Sequence, residues 1–403
     1  MRVNAYRWCL NRHSLCREVR MSGPEVAVRR RPKDRKAQIL EAAHTLFVEQ
    51  GYRNVSMAQI ADRVGITAGA LYRHFSNKAM LLSAVIGSSF SEAVPAFDAS
   101  ASLPEVLADS CRYVAVSRDG GVLWWREARH LPGEMRSELW DRLRAINRRH
   151  AELIRCERPE LEESSAEVLA WGVQAVLGTP GFHSSQLPPL EFAALLTRVC
   201  MAVCAAEVTA SPHVVARRRS GLSAVSKREE MLRYAVVLFD EKGYEATSLD
   251  DIGVAVGVSG PNLYSYFASK ADLLQAAVER GANALWLLLH AVLRENDEPQ
   301  RALVELVRGY TRLAVDQTIL TSLLLTEQAA LSNVAHARQR EYVAEWTALL
   351  RAARPELEEM SARILVHTAL GVINTMARIE HLRALESFQT DLAVLAVAVL
   401  LSA

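Results

Sequence analysis

The chain has 403 residues, 50% of them hydrophobic and 23% charged, with a formal net charge of +1. This is the composition of a soluble globular protein, and the length exceeds one ordinary core, predicting two domains of roughly 150–200 residues each. The near-neutral balance excludes a uniformly basic nucleic-acid binder, so any such surface has to be local.

In chain order, residues 1–28 read as a flexible tail. It holds Arg7, Arg12, Arg17 and Arg20 but no apolar core of signal-peptide length, and Met21 is a second start candidate. A local basic stretch, "RRRPKDRK", follows from Arg29, Arg30 and Arg31 to Lys36. The cysteines at 9, 16, 111, 156, 200 and 204 form no Cys-x-x-Cys pair and flank no histidine at zinc-ligand spacing. They read as reduced, buried thiols. A redox or metal-sensing role is the alternative, with Cys200 and Cys204 spaced to share one helix face. The longest apolar run, Leu392 to Leu401, is far short of the ~20 residues that span a bilayer. The expected location is the cytoplasm.

An internal repeat decides the architecture. Shifted by 192 positions, Lys36–Leu82 aligns with Arg228–Leu274 without a gap, and 18 of the 47 pairs are identical. Among them are Phe47/Phe239, Gly51/Gly243, Tyr52/Tyr244, Ser56/Ser248, Leu71/Leu263, Tyr72/Tyr264, Phe75/Phe267 and Lys78/Lys270. A second anchor, "RPELEE", occurs at 158–163 and again at 354–359, an offset of 196. The duplication therefore covers whole units, about 30–210 and 225–403, joined by a Pro-, Gly- and Ser-containing linker over 211–225.

The shared segment reads as short helices. Ile39, Leu40, Ala43, Leu46 and Phe47 make one apolar helical stripe that stops at Gly51. "SMAQIADRVG" predicts a helix with a Ser56–Gln59 capping box. "SLDDIGVAVG" keeps the Ser248 cap and puts Asp250 and Asp251 in the first turn, while Gly253 weakens that helix by ~1 kcal/mol relative to alanine. A Gly turn and a new helix capped by Thr67 or Ser259 complete a helix-turn-helix. Another helix starts at Lys78 or Lys270.

The full combination is an amphipathic helix ending in Phe-x3-Gly-Tyr, a Ser-capped helix, a Gly turn, then Leu-Tyr-x-x-Phe-x-x-Lys-x-x-Leu-Leu. It resembles the TetR family of bacterial transcriptional repressors, twice. A fused pair is similar to the tandem TetR-type repressors of actinobacteria, among them one that controls a mycobacterial mammalian-cell-entry (lipid transport) operon. The resemblance implies an all-α fold of two tandem units, each a three-helix DNA-binding head followed by a helical ligand-binding and dimerisation domain. The expected division is a tail 1–28, head one 29–82, body one 83–210, linker 211–225, head two 226–274 and body two 275–403. The last two helices of family members pair as a four-helix bundle. Here that pairing would be internal, an intramolecular pseudo-dimer, with Val168, Leu169, Gly172, Val173, Val176 and Leu177 facing Leu365, Val366, Ala369, Val372 and Ile373.

The resemblance also implies which residues meet DNA. Tyr72, His74 and Lys78 would take phosphates beside Thr67, while Ala68, Gly69, Ala70 and Arg73 face the major groove. Arg73 suits a bidentate contact to guanine. In unit two the matching sets are Ser259, Tyr264, Tyr266 and Lys270, then Gly260, Pro261, Asn262 and Ser265. The bland alternatives are Tyr72 and Tyr264 as packing residues, His74 as a solvated side chain, and Lys78 and Lys270 as first-turn lysines. Cations are disfavoured at a helix N-terminus, so the repeated lysine argues for a phosphate partner. Arg29–Arg31 and Arg217–Arg219 read as arms for a minor groove, or else as solvated charge. Because Arg73 aligns with Ser265 and His74 with Tyr266, the two half-sites should differ.

Helical patterns continue over 78–92, 103–117, 120–130, 134–156, 162–178 and 189–208, then over 270–295, 299–314, 316–331, 334–353, 358–382 and 387–402. A ligand pocket among the middle helices would draw on Trp124, Trp125 and Trp171, with Trp140, Phe90 and Tyr113 nearby, and on Trp286 and Trp346 with Tyr310. Ordinary core aromatics are the alternative for each. The expected function is a sequence-specific repressor of promoter DNA, released by a small apolar inducer such as a lipid or steroid derivative as the helix after each head shifts. A helical interaction module acting through protein partners is the second reading. No Gly-rich phosphate loop, His-Glu-x-x-His or nucleophile elbow points to an enzyme, and no cofactor is called for.

Overall fold

The computed structural model describes residues 32–93, 101–211, 225–258, 261–317 and 331–402. The arms at 29–31 and 217–219, the pair Ser259 and Gly260, and nearly all of the helix expected over 316–331 lie outside the described residues. Among the described residues every regular element is helical. None of those helices is long and apolar enough to cross a membrane.

Unit one begins with α1 (Pro32–Gln50), α2 (Met57–Val64) and α3 (Ala68–His74). It continues with α4 (Lys78–Ala93), α5 (Leu103–Val116), α6 (Val122–Glu127), α7 (Gly133–Glu157), α8 (Glu163–Gly178) and α9 (Pro189–Ala205). Unit two repeats the plan as α10 (Lys227–Lys242), α11 (Leu249–Ala255), α12 (Pro261–Tyr264), α13 (Lys270–Glu295), α14 (Pro299–Asp316), α15 (Asn333–Ala353), α16 (Glu359–Met376), α17 (Glu380–Arg383) and α18 (Phe388–Leu401).

Two expected helices are broken, each beside a contact with a residue distant in sequence. The run 120–130 becomes α6 between two tight 3-10 turns, Arg118–Gly121 and Ala128–His130. Gly121 lies against the end of α8: a Cβ there would sit 3.0 Å from the Gly178 carbonyl oxygen. The run 358–382 divides at Ala377, beyond which Arg378 donates to the Trp125 carbonyl in the other unit at 3.2 Å.

The "RPELEE" repeat has a structural cause. Arg158 Nη1 donates to the carbonyls of Cys204 and Ala206, at 3.0 and 3.1 Å, where α9 ends. Arg354 Nη1 donates to Leu400 and Ser402, at 3.1 and 2.7 Å, where α18 ends. The last carbonyls of a helix have no intrahelical donor and carry partial negative charge, so a guanidinium satisfies both needs. Each arginine is steadied by a glutamate two residues on, Glu160 or Glu356. The second anchor thus closes the final helix of each unit.

The apolar faces of these final helices meet. α8 packs on α16, and α9 on α18. Val168, Leu169, Val173 and Val176 are fully buried, as are Leu365, Val366, Ala369, Val372 and Ile373. Fully burying each such Val, Leu or Ile side chain is worth about 1.5–3 kcal/mol. Gly172 marks a close approach in this layer, since a Cβ would come 2.9 Å from Val203 and 3.2 Å from Leu395. A polar clasp adds to it. Asp391 in α18 accepts the backbone N–H groups of Thr209 and Ala210 at 2.8 and 2.9 Å, and Ser387 Oγ accepts that of Ser211 at 2.9 Å.

The two heads join the core differently. Head one, with Ile39, Phe47, Ile60 and Leu71, shares one continuous apolar core with both bodies. Head two, with Met231, Phe239, Ile252 and Leu263, forms a separate apolar cluster.

Candidate functional site

In head one, α2 opens on a complete capping box. The Ser56 N–H donates to Gln59 Oε1 at 2.7 Å, and the Gln59 N–H to Ser56 Oγ at 3.2 Å. Gly65 ends α2 at φ 70°, a left-handed conformation that costs glycine little. Thr67 then caps α3, its Oγ1 accepting the Ala70 N–H at 3.2 Å. Leu71 and Phe75 are buried beneath α3. Burying those two fixes the helix's rotation, so Thr67, Ala68, Gly69, Tyr72, Arg73 and His74 are exposed and Ala70 half-buried. Tyr72 is 50% exposed, which argues against a packing role. A Cβ on Gly69 would meet nothing within 4 Å. Packing therefore gives no reason for this glycine, which leaves the helix open to close backbone approach.

Head two repeats the scaffold with other letters. Asp251 completes the Ser248 box, accepting the Ser248 N–H at 2.9 Å and donating its own N–H to Ser248 Oγ at 3.0 Å. Gly253 has a packing reason: a side chain there would collide with Leu263 and the Val258 carbonyl. Of the helix that corresponds to α3, the described residues cover Pro261–Tyr264 as α12. Asn262, Tyr264, Ser265 and Tyr266 are exposed, Tyr264 by 56%. Pro261 is the first described residue of the helix, and Ser259 and Gly260 lie outside the described residues.

The recurring lysine proves to be used inside the fold. Lys78 Nζ donates to the carbonyls of Tyr52 and Val55, both at 2.8 Å, and of Arg53 at 3.4 Å. The same ammonium lies 4.3 Å from the centre of the Tyr52 ring. Lys270 repeats this with the Tyr244 carbonyl at 2.7 Å and its ring at 4.2 Å. Burial and the nearby Arg53 guanidinium both lower the Lys78 pKa. An ammonium has three donors, and Lys78 directs all three at the loop after α1. In both copies the lysine therefore has a partner inside the fold, the loop that follows the first helix of its head, which the expectation drawn from the helix dipole did not include. The joint recurrence of Tyr52/Tyr244 and Lys78/Lys270 in the repeat carries the signal of this pairing.

The profile of bacterial regulatory proteins of the tetR family matches residues 39–85 and again 231–277. The chain carries two tetR-family segments in tandem. It is 43% identical over 56 residues to the regulator TtgR of Pseudomonas putida, covering 14% of this chain and 27% of that one. It is 43% identical over 70 residues to the transcriptional activator FasR of Mycolicibacterium smegmatis, covering 17% and 32%. The chain thus spans about a third or less of the length of these relatives. A solved TetR-family regulator from Bordetella parapertussis aligns over 44% of this chain and 95% of its own, with 24% identity and a TM-score of 0.41.

Beyond this tetR-type head, body one holds a cavity of about 760 Å³, counting its open mouth. Phe90, Tyr113, Trp124, Trp125 and Trp171 line it, and Thr375 of unit two reaches its wall. Trp140 is not in the lining; it stacks between Trp124 and Trp171 at centroid distances of 5.7 and 5.4 Å. The lining offers little charge. Arg118 is held by the carbonyls of Pro180 and Ser185, at 2.8 and 2.9 Å, and burial pushes His150 down to about 4. Body two differs. Trp286 lines a cavity of about 570 Å³, again counting its open mouth, with Tyr342 and Arg338. Trp346, expected to line a pocket, is fully buried against Tyr310 and Tyr342 and belongs to the core.

The segment around α6 links this cavity to both heads, which the sequence did not suggest. Trp124 and Trp125 face the cavity. Arg126 lies 3.5 Å from the Val48 carbonyl near the end of α1, and His130 stacks on Tyr52 at 5.7 Å. Arg129 donates to the Phe239 carbonyl near the end of α10 at 3.2 Å. Guanidinium groups therefore meet the C-terminal turns of the first helix of each head, where the dipole favours a cation.

Proposed function

We propose that this chain is a sequence-specific transcriptional repressor that reads two unlike DNA half-sites with its own two heads. Its body would answer to a small apolar ligand in the cavity beneath Trp124. The observation that carries this reading is the exposed face Thr67–His74 on a fully packed scaffold, repeated with different letters at 262–266. Arg73 and His74 of one head stand where the other has Ser265 and Tyr266. Heads at about 29–82 and 226–274, bodies at about 83–210 and 275–403, and the packing of α8 and α9 on α16 and α18 support an intramolecular pseudo-dimer. A duplex presents successive half-sites ~34–36 Å apart, and covalent linkage puts the second head at high effective concentration once the first has docked. The cytoplasm is the compartment this reading requires.

Release would work through α6 as well as α4. A ligand against Trp124 and Trp125 presses on the helix that carries Arg126 and Arg129 toward both heads. The test is selection of genomic fragments by the purified chain at physiological salt. Two unlike half-motifs one turn apart are expected. A perfect palindrome would mean that two chains each lend one head. Absence of any enriched sequence would overturn DNA reading in favour of an interaction module with protein partners.

A further inference from the structure

The two bodies do not hold the same empty space. The "RPELEE" offset of 196 sets the register of α7 on α15 and α8 on α16. The same offset superimposes the buried positions of α5 and α14: Val106, Leu107 and Cys111 on Ala302, Leu303 and Val307. Four residues that line the cavity of body one are Val114, Ile146, His150 and Gly178. Their counterparts in body two are Tyr310, Tyr342, Trp346 and Asn374.

Each substitution adds volume, and the added groups close on one another. Tyr310 Oη and the Asn374 side-chain amide exchange hydrogen bonds at 3.1 and 3.0 Å. The Tyr310 ring meets Trp346 edge-on at 5.8 Å, and Trp346 meets Tyr342 at 6.3 Å. Tyr310 and Trp346 are buried, and neither lines the remaining cavity of body two. A phenol and an indole thus stand where body one keeps an isopropyl group and an imidazole. The Tyr310–Asn374 pair satisfies the polar atoms such a plug brings into an apolar interior.

We infer that the chain takes one ligand, in body one alone, and that body two carries a built-in replacement for it in Tyr310, Trp346 and Asn374. The ligand class is an uncharged apolar molecule, since Arg118 is already engaged by carbonyls and, among the described residues, no acidic group lines the space. The inference rests on the ligand-responsive reading above. It divides the labour of the two units: body one senses, and in body two the corresponding space is held permanently filled.

Crystals of the full chain pressurised with xenon test this, because xenon enters apolar cavities without a known ligand. Xenon is expected against Trp124 and Trp171, with none among Tyr310, Trp346 and Asn374. The Y310V/N374G chain, which restores the smaller residues, is expected to gain a second site, and V114Y/G178N to lose the first. Xenon in both bodies of the unaltered chain overturns the inference and leaves the ligand reading standing. Xenon in neither overturns the cavity itself, and the ligand reading with it. A folded Y310V/N374G chain with no second site overturns the plug. Should that variant fail to fold, the occupancy of the unaltered chain still decides, one site against two.

Discussion

Head one and head two share a scaffold but not an attachment. Their buried letters agree: Phe47 with Phe239, Leu71 with Leu263, Phe75 with Phe267, and each lysine on its tyrosine. Their exposed letters differ along α3 and the stretch that follows α12's start, Arg73 against Ser265 and His74 against Tyr266. The core of head one runs into the bodies, whereas head two is an apolar cluster of its own. A repeat keeps what packing demands and lets the surface diverge. It also lets one copy be seated firmly while the other opens as a unit of its own.

The largest test removes a core residue from each head. Leu263→Ala should cost about 2–5 kcal/mol and split off an early melting step in calorimetry. Leu71→Ala should cost as much but lower the main transition. If both variants melt in one step, the difference in attachment is wrong. Next, Lys78→Met and Lys270→Met each remove charged hydrogen bonds, for a loss of about 1.5–3 kcal/mol. Stability should fall while the slope of log affinity against log salt stays level. A slope shallower by about one would restore the phosphate contact. Arg73→Ala should weaken one half-site by about 1–3 kcal/mol and relax its sequence, measured by competition with single-base variants; Ser265→Ala should not. Ser56→Ala breaks a capping box and should cost about 1 kcal/mol in head one alone.

Acid gives a last, smaller test of the seat of head one. His130 lies against Tyr52, and burial, with Arg129, Arg53 and Lys78 nearby, lowers its pKa to about 4 from an ordinary 6.5. The unfolded chain then binds the extra proton first, so stability is lost as pH falls from about 6.5 toward 4. Glu127 is the acid facing the ring, at 3.6 Å, and does not reverse the sign. Hydrogen exchange at 47–55 should rise over that window, and His130→Gln should flatten the rise.

Much of this was legible in the sequence because it follows local rules. The stripe from Ile39 to Phe47, the Ser56 box, the Gly65 turn and the rotation of α3 all follow from spacing and caps. What escaped depended on long-range partners. The role of Lys78 required a carbonyl cluster 23 to 26 residues away. The burial of Trp346 depends on Tyr310 and Tyr342, and aromatic content alone does not say which side of a helix meets a void. The breaks flanking α6 follow from Gly121 resting on Gly178, a contact between two distant turns.

The Asp391 clasp has a consequence for how the molecule is made. Thr209 and Ala210 await a carboxylate 182 and 181 residues further along the chain. At synthesis rates of roughly 5–20 residues per second, that wait lasts on the order of 10–40 s. Until then the faces of α8 and α9 that meet α16 and α18 lack their full set of partners. The first half emerges as a sticky intermediate whose correct mate is still being translated. Fusing the halves removes the search for a second subunit and replaces it with a timed exposure, which a chaperone or a neighbouring nascent chain can enter first.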